Sequence, residues 1–393
     1  NNWIDFLKLR ASWGIINADY LPRDGDNTVH NYWDQIYNIT GVTYPFNSGY
    51  DSDFGSTTIG RLATLNPTHE KAFKYNIGID AVLFKDFNII VDGYFQRRKD
   101  IWVPSSGKYT DILGLQAPFE NGGIVDSWGI EASLDYIKRI GNVRLNLGGN
   151  ILYNKNKIKE QLEEPRLYPN LVKTGNSLNQ IYGLQAIGYF RSQEEIDASP
   201  VQTFNKVIPG DIKYKDVNKD GIIDENDAIA LGYNAKSPEI YYSFKLGAEW
   251  KGLGFNAMFQ GTARYSAILN AKSLFVPLID NNTISKHYYD NRWTPDTPDA
   301  RYPRLSSQSN NNNNQVSSVW VVNRSFLKLR NIEVYYKIPK NIMERTKFID
   351  NAKFYVRGID LFSLDTMNPV DPEAYGVGHP LTRSLVVGLA VGF

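Results

Sequence analysis

The chain has 393 residues, a formal net charge of +1 and no cysteine. These values exclude a disulfide scaffold and a thiolate metal site, and they give no electrostatic case for nucleic-acid binding. Aromatic residues make up 13% of the chain, and no long uncharged apolar run occurs, which excludes a helical membrane protein. A transmembrane β-barrel stays open, because the polar residues that alternate along its strands lower the mean hydropathy.

Apolar and polar residues alternate along the chain in runs of roughly ten residues, the length of a tilted membrane strand. In 73–84 the two faces separate, with Phe73, Tyr75, Ile77, Ile79, Ala81 and Leu83 opposing Lys74, Asn76, Gly78 and Asp80. The remaining predicted strands are 6–15, 87–98, 128–136, 143–154, 240–250, 253–260, 319–337, 352–362 and 383–393. The total is about ten, and a shift of the apolar phase between Leu329 and Ile332 predicts a β-bulge.

The predicted connections alternate between short and long. The short turns are 85–86, 139–141 and 251–252, and the long segments are 16–71, 99–126, 155–238, 265–318 and 364–382. Outer-membrane barrels place short turns inside and long loops outside. We therefore predict an all-β fold, a transmembrane antiparallel β-barrel with long extracellular loops. A soluble β-sandwich is the alternative.

The segment 216–227 has the spacing of a calcium-binding loop. Oxygen-bearing side chains stand at positions one, three, five, nine and twelve, and Gly221 at position six allows the sharp turn. The predicted ligands of a structural calcium ion are Asp216, Asn218, Asp220, Ile222 through its carbonyl, Asp224 and Asp227. Asp227 replaces the usual bidentate glutamate, and the alternative is a metal-free turn rich in Asp and Asn.

Two long loops combine aromatic rings with amide and carboxylate groups, which suits a polar ligand such as a carbohydrate. Trp33 and Tyr37 in the first loop, with Tyr289 and Trp293 in 265–318, are the predicted substrate-binding residues. The alternative is that they pack the loops or a partner protein. The run Asn310–Asn314 predicts a mobile loop tip.

The sequence does not predict an enzyme. The four histidines lack metal-ligand spacing, and no Ser-His-Asp order, phosphate loop or zinc motif stands out.

Several short motifs follow one another over nearly the whole chain. They are Phe6–Gly14, Leu65–Pro67 with Asn76–Asp80, Gly210–Ile212 before the calcium-like loop, Arg292–Pro295 with Tyr302–Leu305, Ser325–Asn331, and the terminal strand ending at Phe393. Together they resemble the carboxy-terminal half of SusC-like (SusC/RagA family) TonB-dependent transporters of the Bacteroidetes outer membrane.

The resemblance implies a barrel of about 22 strands around a plug domain. It also implies the Gram-negative outer membrane, a SusD-like surface lipoprotein that closes as a lid, and TonB-driven import of glycans or peptides. Residues 1–393 are then expected to form the carboxy-terminal part of one barrel domain. The segment 155–238 is expected to be an extracellular insertion that carries the calcium-like loop.

The plug and the first strands are expected to precede Asn1, so another chain or segment would supply the rest of the barrel. Two alternatives from other classes stay open. One is a passive porin or structural surface barrel, and the other is a secreted, soluble, calcium-binding glycan-active β-protein.

Overall fold

The computed structural model describes residues 3–24, 27–39, 43–45, 53–109, 112, 114–343, 348–367, 369–374 and 379–393. Ten long strands lie side by side in the order of the sequence. They are β1 Ile4–Ala18, β2 Glu70–Leu83, β3 Phe87–Pro104, β4 Phe119–Ile140, β5 Val143–Glu160, β6 Ile240–Trp250, β7 Leu253–Ala263, β8 Phe326–Lys337, β9 Asn351–Ile359 and β10 Ser384–Gly392.

Every pair of neighbouring long strands is antiparallel, and β1 and β10 lie at the two edges of the sheet. The strand Ser363–Asp365 continues the wall beyond β9 by pairing with the start of β8. The ten strands predicted from alternation, and the all-β barrel wall they imply, are confirmed.

The two faces of the sheet differ in chemistry because side chains alternate along each strand. One face is apolar and open to its surroundings, with Ile77 68% and Leu389 63% exposed. The opposite face carries charged groups such as Arg10, Asp92 and Glu333, which are joined in ion pairs. In a barrel wall the apolar face meets lipid and the charged face lines the interior.

The short turns owe their shape to residues with positive φ. Ile140 pairs with Val143 and Trp250 pairs with Leu253, which leaves two-residue turns at 141–142 and 251–252. Lys251 and Gly252 have φ of 48° and 91°. Positive φ at both central residues matches the twist of the flanking strands and closes a tight hairpin.

Several strands extend further toward the long loops than alternation predicts. Alternation predicts a strand over 128–136, whereas β4 spans Phe119–Ile140. The residues added to the predicted strands include charged side chains such as Lys99 and Asp126, which interrupt the apolar period that marks the lipid-facing part. The wall therefore continues beyond the membrane.

The predicted bulge in β8 is present. Met258 pairs with Asn331 and Phe259 pairs with Leu329, so Arg330 is the extra residue. The turn between β8 and β9 contains a short helix, α4, Lys340–Met343.

The long loops contain short elements of their own. Helices α1 to α3 are Gln193–Asp197, Lys272–Phe275 and Lys286–Asp290, with 3-10 turns at Ser106–Lys108, Pro169–Leu171, Glu225–Asp227 and Ile279–Asn281. Paired short strands are Arg23–Asp24 with Asn27–Thr28, Tyr37–Asn38 with Thr58–Ile59, Thr43–Pro45 with Asp53–Gly55, Ile181–Gly183 with Ile229–Leu231, Ala186–Tyr189 with Ile212–Tyr214, Val201–Gln202 with Ile222–Ile223, and Ser266–Ile268 with Val321–Asn323. Among the described residues, no helix is long and apolar enough to cross a membrane.

The buried apolar clusters lie in these loops. One contains Ala267, Leu269, Leu274, Tyr288, Tyr302, Trp320, Val322 and Met367. The second contains Leu184, Ile212, Tyr214 and Ile223. The segments 161–239 and 264–325 therefore form a packed body at the loop end of the strands, with Met367 packed against it. We call these two segments the loop body.

Two isoleucines on adjacent strands can test which face of the wall meets lipid. Ile79 lies on the apolar face, whereas Ile90 pairs with Asp80 on the charged face. We expect Ile79→Arg to destabilise the protein in a bilayer by about 2–4 kcal/mol and Ile90→Arg to cost much less. Urea unfolding in lipid vesicles, followed by tryptophan fluorescence, measures both, and equal losses would contradict the assigned faces.

Candidate functional site

The inner face of the wall is held by paired charges. Arg10 on β1 bridges Asp80 at 2.7 Å and Asp92 at 2.8 Å. Lys245 pairs with Asp135 at 2.6 Å across β5, where Gly148 leaves room between them. Because these cations are paired with carboxylates, this part of the inner face is polar without a strong field of one sign. Such a surface accommodates water and polar solutes.

A second charged group joins the wall to the segment before β10. Lys328 is 3% exposed and forms ion pairs with Asp371 at 2.7 Å and Glu373 at 2.9 Å. Arg330, the bulge residue, bonds Asp360 at 3.0 Å and also contacts Glu373. Burial alone would raise the pKa of the Asp371 carboxyl, but Lys328 and the backbone N–H of Glu373 outweigh burial and lower that pKa. The Asp371 carboxylate therefore stays charged, and these ion pairs hold the segment 369–374 against β8.

The asparagine run is mostly buried and links the two segments of the loop body, 161–239 and 264–325. We call the linked side chains the clasp: Asp211, Arg304, Asn310, Asn312 and Asn313. Asp211 is fully buried, and its Oδ1 accepts from the side-chain amides of Asn310 and Asn313, both at 2.9 Å. Arg304 forms an ion pair with the same carboxylate at 2.7 Å. The prediction of a mobile tip is wrong, because amides that bond a buried carboxylate hold the tip inside the loop body.

Asn312 completes the clasp. Its side chain is fully buried, accepting from Gln202 at 2.6 Å and donating to the carbonyl of Ile212 at 2.9 Å. The Tyr214 hydroxyl donates to the Asn312 carbonyl at 2.7 Å. Every one of these partners lies in 161–239, so the clasp joins 161–239 and 264–325 into a single unit.

The insertion is also tied to the end of β5 through Glu163. Its carboxylate accepts from the backbone N–H groups of Lys173 and Thr174, both at 2.9 Å, and from the Thr174 hydroxyl at 2.8 Å. Burial would raise the pKa of Glu163, but these hydrogen bonds outweigh it and lower the pKa to about 2. The carboxylate is therefore charged at any physiological pH and fixes the base of the insertion.

The predicted aromatic residues differ in exposure. Trp33 and Tyr37 are 51% and 59% exposed, and Trp33 stacks edge-on against Tyr32 at 4.9 Å. Tyr289 is half-exposed, with the Arg292 guanidinium 3.8 Å above its ring. Trp293 is buried, and its ring fills the space beside Gly210, where φ is 91°. Three of the four rings therefore have free surface for a ligand, and Trp293 packs the loop body.

The calcium-like loop is folded around its own carboxylates. Asp216 accepts from the backbone N–H groups of Lys219 at 2.6 Å and Gly221 at 3.0 Å. Asp227 is buried and accepts from Val217 at 2.7 Å and Asp224 at 3.1 Å. Within the described ranges, no three acidic, histidine or cysteine side chains converge on one point. Calcium binding therefore stays a prediction of the sequence pattern.

The buried clasp generates a quantitative prediction. Asp211→Ala removes one partner of a buried ion pair and leaves Arg304 and two amides unsatisfied, so we expect a loss of about 3–5 kcal/mol in the stability of the loop body. Asp299→Ala is the matched control, because Asp299 pairs with Arg191 on the surface of the same body. Hydrogen exchange over 202–214 and 304–320 measures the effect. Similar protection in the two variants would contradict the clasp.

Comparisons with known proteins find similar proteins that align with nearly the whole chain. No protein-family model matches it. It is 25% identical to the TonB-dependent receptor P26 of Formosa agariphila over an alignment of 430 residues, covering 98% of this chain and 40% of that receptor. It is 24% identical to the TonB-dependent receptor P39 of the same organism, covering 100% of this chain and 41% of that one. The chain thus spans about two fifths of the length of these curated relatives.

The fold agrees with solved structures of one transporter. The structure of the RagAB peptide transporter matches with a TM-score of 0.70 at 20% identity, covering 100% of this chain and 41% of that chain. The RagAB peptide importer in its open-open state gives a TM-score of 0.71 at 19% identity. The relatives are receptors and transporters rather than enzymes. The resemblance found in the sequence is confirmed: this chain is similar to TonB-dependent receptors over nearly its whole length and forms part of an outer-membrane β-barrel.

Proposed function

We propose that this chain forms part of the wall and mouth of an energy-coupled importer of polar nutrients. The observation that carries the proposal is a wall with an apolar outer face and an ion-paired inner face. This wall aligns over its full length with TonB-dependent receptors. The inner face contributes no catalytic group to this function and acts by lining the passage.

The proposed substrates are oligosaccharides or peptides. Exposed rings at Trp33, Tyr37 and Tyr289 offer apolar faces beside polar groups, which suits sugar rings and side chains alike. The proposed partners are a SusD-like lipoprotein over the loops, and TonB acting through a plug domain carried by the rest of the protein. Both follow from the resemblance, and the similarity to the RagAB peptide transporter supports a peptide as one substrate class.

Uptake measurements test this proposal. In cells that express the full-length protein, we expect uptake of labelled oligosaccharides or peptides to require TonB. Trp33→Ala with Tyr37→Ala should raise the half-saturating concentration by about two- to tenfold for each ring lost. Trp13→Ala, on the lipid face, is the control and should leave uptake unchanged. Uptake that persists without TonB would identify a passive porin instead.

We also propose that the loop 216–227 binds a structural calcium ion. The hydrogen bonds to Asp216 and Asp227 use part of the acceptor capacity of each carboxylate and leave lone pairs for a cation. Asn218 and Asp220 add exposed oxygen atoms on the neighbouring turn. Oxygen donors of this kind suit calcium, and the ion would screen carboxylates that otherwise repel one another.

Metal analysis decides this proposal. Asp220→Ala should lower the calcium content of the purified protein and increase hydrogen exchange in 216–227, while the wall stays folded. Asp299→Ala removes a carboxylate from the surface of the same loop body and should change neither quantity. Equal calcium content in wild type, Asp220→Ala and Asp299→Ala would refute the site.

A further inference from the structure

A row of aromatic side chains crosses the outer face of the wall near the long loops. Trp13, Tyr75, Phe95 and Trp128 are lateral neighbours in β1 to β4. Trp13 and Tyr75 are exposed. Aromatic side chains at this position in a barrel mark the boundary between the hydrocarbon and the lipid headgroups.

Basic side chains lie directly beyond this row on the same face. Two residues further toward the loops, Phe73 pairs with Arg97 and Asp126 pairs with Lys157, and one step beyond them Lys71 pairs with Lys99. Residues two apart in a strand share a face. We call the outer basic band the set Lys71, Arg97, Lys99, Lys155, Lys157, Lys159 and Arg264.

Ring contacts confirm that Arg97 and Lys99 face outward. The Lys99 amine lies 5.7 Å from the centre of the Phe73 ring, and the Arg97 guanidinium lies 5.9 Å from that of Phe95. Both rings belong to the apolar face. The charges are therefore presented to the lipid side and away from the passage.

The outer basic band has more positive charges than the neighbouring carboxylates neutralise. Asp126 pairs with Arg97 at 2.7 Å and Asp100 pairs with Lys71 at 3.2 Å. Glu239 lies 3.5 Å from Arg264. Over the described part of the chain, Lys99, Lys155 and Lys157 have no carboxylate within 4.0 Å, so these three amines are uncompensated.

A cleft of about 400 Å³ opens beside the uncompensated amines. It lies between β5 and the base of the loop body. Its lining includes Trp128, Lys155, Lys157, Asn176, Ser177 and Gln180, and the paired carboxylate of Glu239 also borders it. The cleft thus offers two amines, polar hydrogen-bonding groups and the aromatic rings of Trp128 and Tyr233 at headgroup level.

We propose that the outer basic band and this cleft bind the phosphate-bearing headgroup of a glycolipid in the outer leaflet. Lysine ammonium groups bind phosphate as point charges, and basic clusters beside a membrane-spanning wall attract anionic headgroups. The side chains of Asn176, Ser177 and Gln180 donate to partners within the chain, and their oxygen atoms are suited to accept from the sugar hydroxyls of the same headgroup. The inference does not depend on what crosses the interior, because these residues lie on the opposite face from the passage.

Binding to the full-length protein in phosphatidylcholine nanodiscs tests the site. The probe is lipid A, and native mass spectrometry measures its occupancy in wild type and in Lys155→Ala with Lys157→Ala. We expect the dissociation constant to rise by about fivefold for each lysine removed. Lys155→Arg with Lys157→Arg should retain most of the binding, which separates loss of charge from loss of fold.

The matched control removes two lysines from the inner face, Lys8→Ala with Lys74→Ala, and should leave lipid A binding unchanged. Dephosphorylated lipid A should bind the wild type as weakly as lipid A binds the double alanine variant. Equal binding of the two lipids, or an equal loss in the control, would overturn the proposal. Displacement by inorganic phosphate at the concentration of the lipid would instead identify a site for a soluble anion.

Discussion

The wall depends on the cost of an unpaired backbone group in hydrocarbon. No water is present there to bond a free N–H or C=O, so each membrane strand must be paired along its length. The sheet meets this constraint with antiparallel neighbours of consecutive sequence and tight inner turns. Because the backbone is fixed in this way, side chains alternate between lipid and interior, and the two surfaces can differ completely.

The same constraint explains how much could be predicted from the sequence. A strand between lipid and water needs a two-residue period, so the alternation in 73–84 and 240–250 gave strand positions, count and facing. The bulge at Arg330 was also predictable, because an extra residue shifts that period. The ends of β3 and β4 were not predictable, since beyond the membrane polar and charged residues interrupt the apolar face and the two-residue period disappears.

The loop body shows why the remainder could not be predicted. Asn310 and its carboxylate partner Asp211 are 99 residues apart, and no local pattern connects a run of asparagines to an acid in another loop. A polar run usually indicates a solvated segment, and here a buried charge reverses that expectation. The motifs Gly210–Ile212 and Tyr302–Leu305, which contain Asp211 and Arg304, were the sequence features that could have indicated this contact, because both belong to the family resemblance. Trp293 shows the opposite error, since an aromatic residue in a polar loop can be packing rather than recognition.

The bulge at Arg330 also changes how substitutions along β8 should be interpreted. Before it, the odd-numbered Leu327 and Leu329 pair with the outward-facing Gly261 and Phe259. After it, the even-numbered Ile332 and Val334 pair with the outward-facing Ala257 and Phe255. Odd-numbered side chains of β8 therefore face lipid before Arg330, and even-numbered side chains face lipid after it. A sequence comparison that assumes one parity for the whole strand would assign half of its positions to the wrong medium.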